Sequence, residues 1–359
     1  MANVCHFAAV HTGIGTVTRP TAPRRAATLH DVAREAGVAV STVSRALTRP
    51  ERVNAVTREH VQEVARRLGY RPNRIARALP SGRTLMLAVL VADITNPHHF
   101  GLIRGAEGRA RASGRTLVLG DTRGDPALEA EHLDRLGSVV DGIVLAASRL
   151  PDADLVELAQ QRPVVLHNRE VPGLPSVSVD FDDGAAQVVA HLAALGHRDL
   201  VYLSGPRDAW SDERRWAALV VHAATAGVDV RRLGPFPPTV EGGPAAADAG
   251  LATGATALLA FNDLLAIGVL RRLASRGVDV PGAVSVTGFD DVFGADFCHP
   301  PLTTVTTPKE EAGQTLVDVL LGGDEAVEPA RIVLPVRLTV RESTGPAVTG
   351  GSGTPSRAR

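Results

Sequence analysis

The sequence predicts two folds on one chain: a small all-α helix-turn-helix head, followed by a two-lobed α/β domain. Three observations carry this. Residues 1–84 hold fourteen Arg, no Lys and five acidic residues, a net +9, whereas the remainder holds 24 basic and 34 acidic residues, a net −10. Within the basic part, "DVAREAGVAVSTVSRALTRP" (31–50) reads as two short helices with a Gly-Val break. In the acidic part, apolar strand-like runs alternate with amphipathic helical stretches, and 359 residues leave room for two or three domains.

A basic head on an acidic body fits a polyanion-binding module joined to a different domain. All but one of the 38 basic residues are Arg, so the preference for Arg is compositional and the clustering is what informs. The two cysteines, Cys5 and Cys298, lie far apart in dissimilar contexts, which argues against a disulfide framework and fits a reducing compartment. No apolar run approaches the ~18–20 residues of a membrane span. Residues 1–27 lack a basic stretch before "HFAAVHTGIGTV" and an obvious cleavage site, so they are expected to be a disordered leader or the by-product of an upstream start codon. The polar end 344–359 is expected to be a disordered tail. A cytoplasmic protein is expected.

From Thr28 the head is regular. Thr28 is placed to cap a helix whose Leu29, Val32, Ala33 and Ala36 share one face, and Gly37 is placed to end it. A second helix from about Val40 buries Val43 and Leu47 and turns Ser41, Thr42, Ser44 and Arg45 outward. A third is expected over Thr57–Leu68, capped by Thr57, with Val61, Val64, Ala65 and Leu68 inside. Helix, short Gly turn, helix, in basic surroundings, is the arrangement whose second helix fits the DNA major groove. Hydroxyls suit phosphates or base edges there, and Arg pairs bidentately with guanine.

"TLHDVAREAGVAVSTVSRALTRPERV" followed by "RRLGYRPNRIARAL" resembles the amino-terminal domain of the lactose-repressor (LacI/GalR) family of bacterial transcription regulators. The resemblance runs from Thr28 to Ser343. It implies a DNA-binding domain over 28–72 and a hinge helix with linker over 73–84. Thr28 and Leu29 would sit among the DNA contacts. The base-reading positions fall on Val40 and Ser41, the family's Arg on Arg45, and phosphate contacts on Thr42 and Ser44. Asn73, Arg74 and Ala76 fall in the hinge helix, and Leu79 aligns with the leucine that wedges into the minor groove, where an apolar side chain unstacks and kinks the duplex. The family usually has Ser where this chain has Ala39. Either the second helix starts differently, with Ser41 as its cap, or DNA affinity is lower.

After "SGRTL" (81–85), the runs "LMLAVLVAD", "TLVLGD" and "DGIVLAA", and later "RPVVLHN", "SVSVD", "LVYLSG", "ATALLAFND" and "VSVTGFDD", read as buried parallel strands between helices. Two such sheets make two lobes, expected over about 85–180 with 308–325 and about 181–307 with 330–343. Ligands of open α/β sheets sit beyond the carboxyl ends of the strands. The polar residues there are Asp93 to His99, Asn168, Asp180, the Ser204–Arg215 loop, Asn262-Asp263 and Asp290-Asp291. Each alone is a good helix cap or turn residue; their joint placement suggests a cleft.

"VADITNPHHF", "LAALGHRDLVYLSGP", "LLAFNDLLAIGVLR", "VSVTGFDD" and "PPLTTV" are similar to that family's effector domain, itself like a periplasmic sugar-binding protein. The resemblance implies effector contacts at His98, His99, Ser211, Arg215, Phe236, Asn262 and Asp290, with Phe236 stacking on a sugar ring. The family usually has aromatics at His98-His99 and Gly at Ala218. Paired imidazoles would make the pocket more polar or admit an anionic ligand; alternatively they are loop residues near a dimer interface.

No G-x-S-x-G elbow, Walker loop or Cys/His metal spacing occurs, and "HTGIG" and "EGGPAAADAG" are not dinucleotide fingerprints. An enzyme, a cofactor and a metal are not expected. A solute-binding protein would share the body but have no use for the head. The expectation is a repressor, with an activator as the variant set by operator position. It works as a homodimer, or two dimers associated, on a pseudo-palindromic double-stranded operator. A small sugar-like effector in the cleft shifts the lobes and the hinge helices.

Overall fold

The computed structural model describes residues 27–70, 84–322 and 329–348. The expected hinge contacts Asn73, Arg74, Ala76 and Leu79 lie outside the described residues, as do most of the leader and most of the tail. The chain divides into two compact units, Met1–Ser81 and Gly82–Arg359.

In the first unit, α1 (Leu29–Ala36), α2 (Val40–Thr48) and α3 (Ala55–Arg67) share one small core built on Val32, Val43, Ala46, Val61 and Val64. Thr28 makes a full capping box: its Oγ1 accepts from the Asp31 N–H (3.3 Å), and Asp31 Oδ2 accepts from the Thr28 N–H (3.0 Å). Gly37 ends α1 at φ +63°, a left-handed turn in which a β-carbon would be strained. Two expectations shift. The third helix begins at Ala55, capped by Asn54 Oδ1 on the Val56 N–H (2.9 Å), because Asn caps as well as Thr and neither Ala55 nor Val56 breaks a helix. Ala46 is fully buried beside Val43, whereas Leu47, expected inside, is half-buried and packs against the edge of this core.

The second unit holds two six-stranded sheets. The first lobe comprises β1 (Met86–Val91), β2 (Thr116–Asp121), β3 (Gly142–Ala146), β4 (Val164–His167), β5 (Ser176–Val179) and β11 (Arg331–Leu334). They lie in the order β11-β5-β4-β3-β1-β2, every neighbouring pair parallel. The second comprises β6 (Asp199–Leu203), β7 (Asp229–Leu233), β8 (Ala257–Ala260), β9 (Ser285–Asp290), β10 (Thr303–Thr306) and β12 (Arg337–Thr339). Its order is β12-β10-β9-β8-β6-β7, parallel except for the antiparallel edge β12. Helices α4 (His98–Ala112), α5 (Pro126–Leu136), α6 (Asp152–Gln161) and α11 (Lys309–Gly322) belong with the first sheet; α7 (Phe181–Ala194), α8 (Trp210–Ala226), α9 (Gly243–Leu251) and α10 (Asp263–Ser275) belong with the second.

The expected assignment of 330–343 to the second lobe needs correction. Residues 331–334 pair with β5, Leu334 beside Val179, because β5 otherwise leaves the edge of the first sheet open and Leu334 and Ile332 pack into that lobe's core. The chain therefore passes between lobes after β5, β10 and β11.

Glycines set two close helix approaches. On α4 and α11, a Cβ at Gly101 would lie 2.8 Å from Lys309 Cβ, one at Gly105 would fall on the Glu310 carbonyl, and one at Gly313 would fall on the Leu102 carbonyl. The "EGGPAAADAG" run serves packing too: a Cβ at Gly243 would strike Gly268 on α10.

Gly313→Ala is expected to lower the unfolding free energy by about 1–3 kcal/mol, since backbone atoms on α4 cannot yield separately. Gly322→Ala, on the same helix with open space around it, should leave it unchanged or slightly raised. Urea titration of both variants checks this.

Candidate DNA-reading face and ligand cleft

On α2 the expected readers differ in exposure, and Val40 packs against the head's core. Ser41 and Arg45 are exposed, while Val40, Thr42 and Ser44 are half-buried. Arg45 folds back along its own helix, its Nε donating to the Ser41 carbonyl (3.1 Å) and its Nη2 to Ser41 Oγ (3.4 Å). The N-cap is Ala39 and the helix starts at Val40, so Ser41 is not the cap. The first N–H groups of α2 thus lack a side-chain acceptor, which suits a phosphate oxygen. Thr28 has its hydroxyl and amide occupied in the capping box, and Leu29 packs against the head's core.

In the second unit a cleft of about 640 Å³ opens between the lobes, large enough for a small ligand. The first lobe contributes Asp93, His98, His99, Arg149 and His167, and the second Trp210, Ser211, Arg215, Asn262 and Asp290. Of the seven expected effector contacts, six meet here. Phe236 does not: it is half-buried, packs into the core between α9, α10 and the sheet, and its N–H donates to the Ser204 carbonyl (3.0 Å). The aromatic walls are instead Phe261 and Trp210.

Strand ends place these groups. Asp290 closes β9 with φ +113° and Asn168 follows β4 with φ +51°, conformations that cost non-glycine residues about 1–3 kcal/mol and that cluster at binding sites. Arg215, on α8, lies with its guanidinium carbon 3.7 Å from the Phe289 ring centre and 4.7 Å from that of Phe261. Its Nη1 donates to the Phe261 carbonyl and its Nη2 lies 3.8 Å from Asp290 Oδ1. Such stacking fixes the planar fork before a ligand arrives. Asn262 caps α10, its Oδ1 accepting from the Leu265 N–H (3.0 Å) and its Nδ2 donating to the Pro238 carbonyl (3.0 Å). Much of its bonding capacity is therefore used by the fold.

Among the described residues, His98, Lys309 and Arg149 of the first lobe reach across to the second. His98 Nδ1 lies 3.2 Å from Asp290 Oδ1. Lys309 Nζ donates to the carbonyls of Asp290 and Asp291. At the rim, Arg149 Nη1 donates to Asp208 Oδ1 (3.1 Å). Burial alone would push the Asp290 carboxyl up, but His98, Arg215 and Lys309 outweigh it and hold the group below its ordinary value. Asp263, fully buried below the cleft, has the opposite fate. Burial first, then the Asp290 charge, push it up to about 8, against the lowering effects of the Thr304 hydroxyl and the Val292 N–H.

Sequence reasoning passed over His167, Arg149 and Phe261, and covered Trp210 only within the Ser204–Arg215 loop. His167 and Phe261 directly precede Asn168 and Asn262 at strand ends, and Trp210 is one of two tryptophans, so each carried a usable signal. Arg149 carried none, because its partner Asp208 lies on the other lobe.

The chain matches known proteins along nearly its whole length. Residues 28–73 match "Bacterial regulatory proteins, lacI family", and residues 189–344 match the "Periplasmic binding protein-like domain". The "HTH-type transcriptional regulator DegA" of Bacillus subtilis (strain 168) is 34% identical over 334 residues, covering 90% of this chain and 99% of that protein. This chain belongs to the lacI family. It is a DNA-binding transcriptional regulator with a helix-turn-helix head and a periplasmic-binding-protein-like domain. The structure of a Lac repressor dimer bound to operator and the anti-inducer ONPF is similar at a TM-score of 0.81 and 28% identity, covering 89% of this chain and all of that one. A complex of the transcriptional regulator CelR with cellobiose matches at a TM-score of 0.64 and 31% identity, covering 88% and 99%. These relatives of the lacI-family chain are regulators rather than enzymes. Among its described residues, no helix is long and apolar enough to cross a membrane, and no cluster of three or more His, Cys, Asp or Glu is placed to hold a metal.

The Asp263 shift fixes a pH dependence. Its folded value exceeds that of the unfolded chain, so the stability it contributes is fully present below about pH 4 and is lost as pH rises through about 8. His99 and His167 are lowered, to about 3 and about 4, so their contribution is complete above the unfolded value of 6.5. Between pH 6.5 and 8.5 wild-type stability should therefore fall, and Asp263→Asn should flatten that fall. Urea unfolding at several pH values in this window reads it directly.

Proposed function

We propose that this regulator is a repressor, acting in the cytoplasm as a homodimer on a pseudo-palindromic operator and without catalytic activity of its own. A sugar-like effector in the interlobe cleft switches its operator affinity. The observation that carries this reading is Asp290 of the second lobe, whose buried charged carboxylate faces His98 of the first and whose backbone carbonyl accepts from Lys309 of the first. A ligand bound there changes the contacts that hold the lobes together, and only such differential binding can shift a conformational equilibrium. Arg215, Asn262 and Asp290 offer the convergent donors and acceptors that a polyol ring takes. The CelR relative holds cellobiose, and the Lac repressor relative is a dimer on operator, which support the ligand class and the assembly.

On the DNA side, Ser41 and Arg45 read bases, with Val40 facing a thymine methyl or a shape and Thr42 and Ser44 facing phosphates. Thr28 and Leu29 serve the head mainly as cap and core. Asn73, Arg74, Ala76 and Leu79 form the hinge contacts, with Leu79 as the wedge.

The test is to incubate the full-length protein with sheared DNA of its source genome at about 150 mM salt, fixed because phosphate contacts make affinity salt-dependent, and to sequence what is retained. A recurrent pseudo-palindrome is expected; no enriched sequence would contradict the reading. On that operator, Arg45→Ala should cost about 1–3 kcal/mol and relax discrimination at one base of each half-site, measured by fluorescence anisotropy. Asp290→Asn should keep operator affinity and lose the ligand response by more than tenfold; an unchanged response would remove Asp290 from the switch.

A further inference from the structure

The charged side chains that line the cleft balance. Arg123, Arg149 and Arg215 face Asp93, Asp121 and Asp290. Arg149 is paired with Asp208, and Arg215 lies beside Asp290. Arg123 sits exposed at the rim beside Asp121, whose Oδ1 accepts its backbone N–H (3.1 Å).

The floor of the cleft is an imidazole cluster. The rings of His98 and His99 meet edge to face at 5.1 Å, and those of His98 and His167 stack at 6.5 Å. His167 is saturated: its Nδ1 donates to the Val177 carbonyl (2.9 Å), and its Nε2 accepts from Asn168 Nδ2 (3.2 Å). His98 and His99 are not. Both are more than nine-tenths buried; His98 Nδ1 faces Asp290 Oδ1 at 3.2 Å, while His99 Nδ1 and Arg215 Nε have no hydrogen-bond partner. Burial, then the neighbouring imidazoles, push His99 down to about 3, and burial pushes His167 down to about 4, so both rings are neutral at physiological pH. A neutral imidazole offers one donor and one acceptor, which matches a hydroxyl. A phosphate or carboxylate offers acceptors only, and it would meet the Asp290 charge where Arg215 and Lys309 are already engaged by the Phe261, Asp290 and Asp291 carbonyls.

We propose that the cleft selects a neutral polyhydroxylated ligand, without phosphate or carboxylate, one of whose hydroxyls satisfies the unpartnered Nδ1 of His99. This rests on the reading of the cleft as a sugar-effector site and adds the ligand's charge and the residues that impose it. It resolves the choice that the sequence leaves open at the paired histidines in favour of polarity without charge.

Isothermal titration of the full-length protein at neutral pH tests this, using matched probes: cellobiose with cellobionate, ribose with ribose 5-phosphate, and glucose with gluconate and glucose 6-phosphate. A neutral member should bind, with its charged counterpart weaker by at least about tenfold. A charged counterpart that binds as tightly or more tightly overturns the proposal while leaving the sugar-site reading intact. Binding by no probe of either kind overturns both. For the neutral probe that binds, His99→Phe should weaken it by about tenfold or more, and His99→Asn, whose amide reaches the Nδ1 position, should recover most of the loss. Equal affinity in wild type and His99→Phe overturns the role of the imidazole. Operator binding by the same preparations reports that each variant is folded.

Discussion

The second unit depends on one buried carboxylate. Asp290 sits at a strand end with φ +113°, in a conformation that its residue type rarely adopts, and its charge is held by groups from both lobes. Removing two charges from water is costly, and a hydrophobic contact of the same volume would stabilise the fold as well or better. The arrangement makes physical sense as a switch. While Asp290 is contacted by His98 and Lys309 the lobes are tied, and a ligand that takes over some of those contacts changes how firmly they are tied.

The surrounding fold supplies the rigidity that such a switch needs. Two sheets, parallel but for β12, aim the carboxyl ends of their strands at one cleft, and three chain crossings join the lobes. Glycines let α11 lie against α4 at backbone distance, so Lys309 and His98, at the first turns of those two helices, are carried as one body. Movement of the first lobe therefore moves both of its Asp290 partners together. In the other lobe, Arg215 is immobilised between aromatic rings and cannot follow.

Much of this was legible in the sequence, and the exceptions share a cause. Thr28, Gly37 and the strand-end residues announce themselves because capping, left-handed turns and ligand contacts each demand particular residue types within a few positions. The start of α3 was misplaced by two residues because Asn54 and Thr57 are equally good caps and local pattern cannot choose between them. The assignment of β11 failed because an edge strand goes where a sheet lacks one, a fact of topology rather than of composition. Phe236 was mistaken for the ring platform because its resemblance-derived position lies near the cleft in sequence but in the core in space, whereas Phe261 reaches the site from a strand end. Contacts across the lobes, such as Arg149 with Asp208, have no local signature at all.

The most direct test of this account is the distance between the lobes in solution. Spin labels on cysteines introduced at the exposed Ala130 and Ala217, in a background with Cys5 and Cys298 replaced by Ser, would report it by pulsed electron resonance with the regulator free, operator-bound, and saturated with the neutral sugar that binds it. The account predicts that the sugar shifts the distance distribution in the wild type and leaves it unmoved in Asp290→Asn. A distribution that stays the same when sugar binds the wild type, while operator affinity changes, would contradict it.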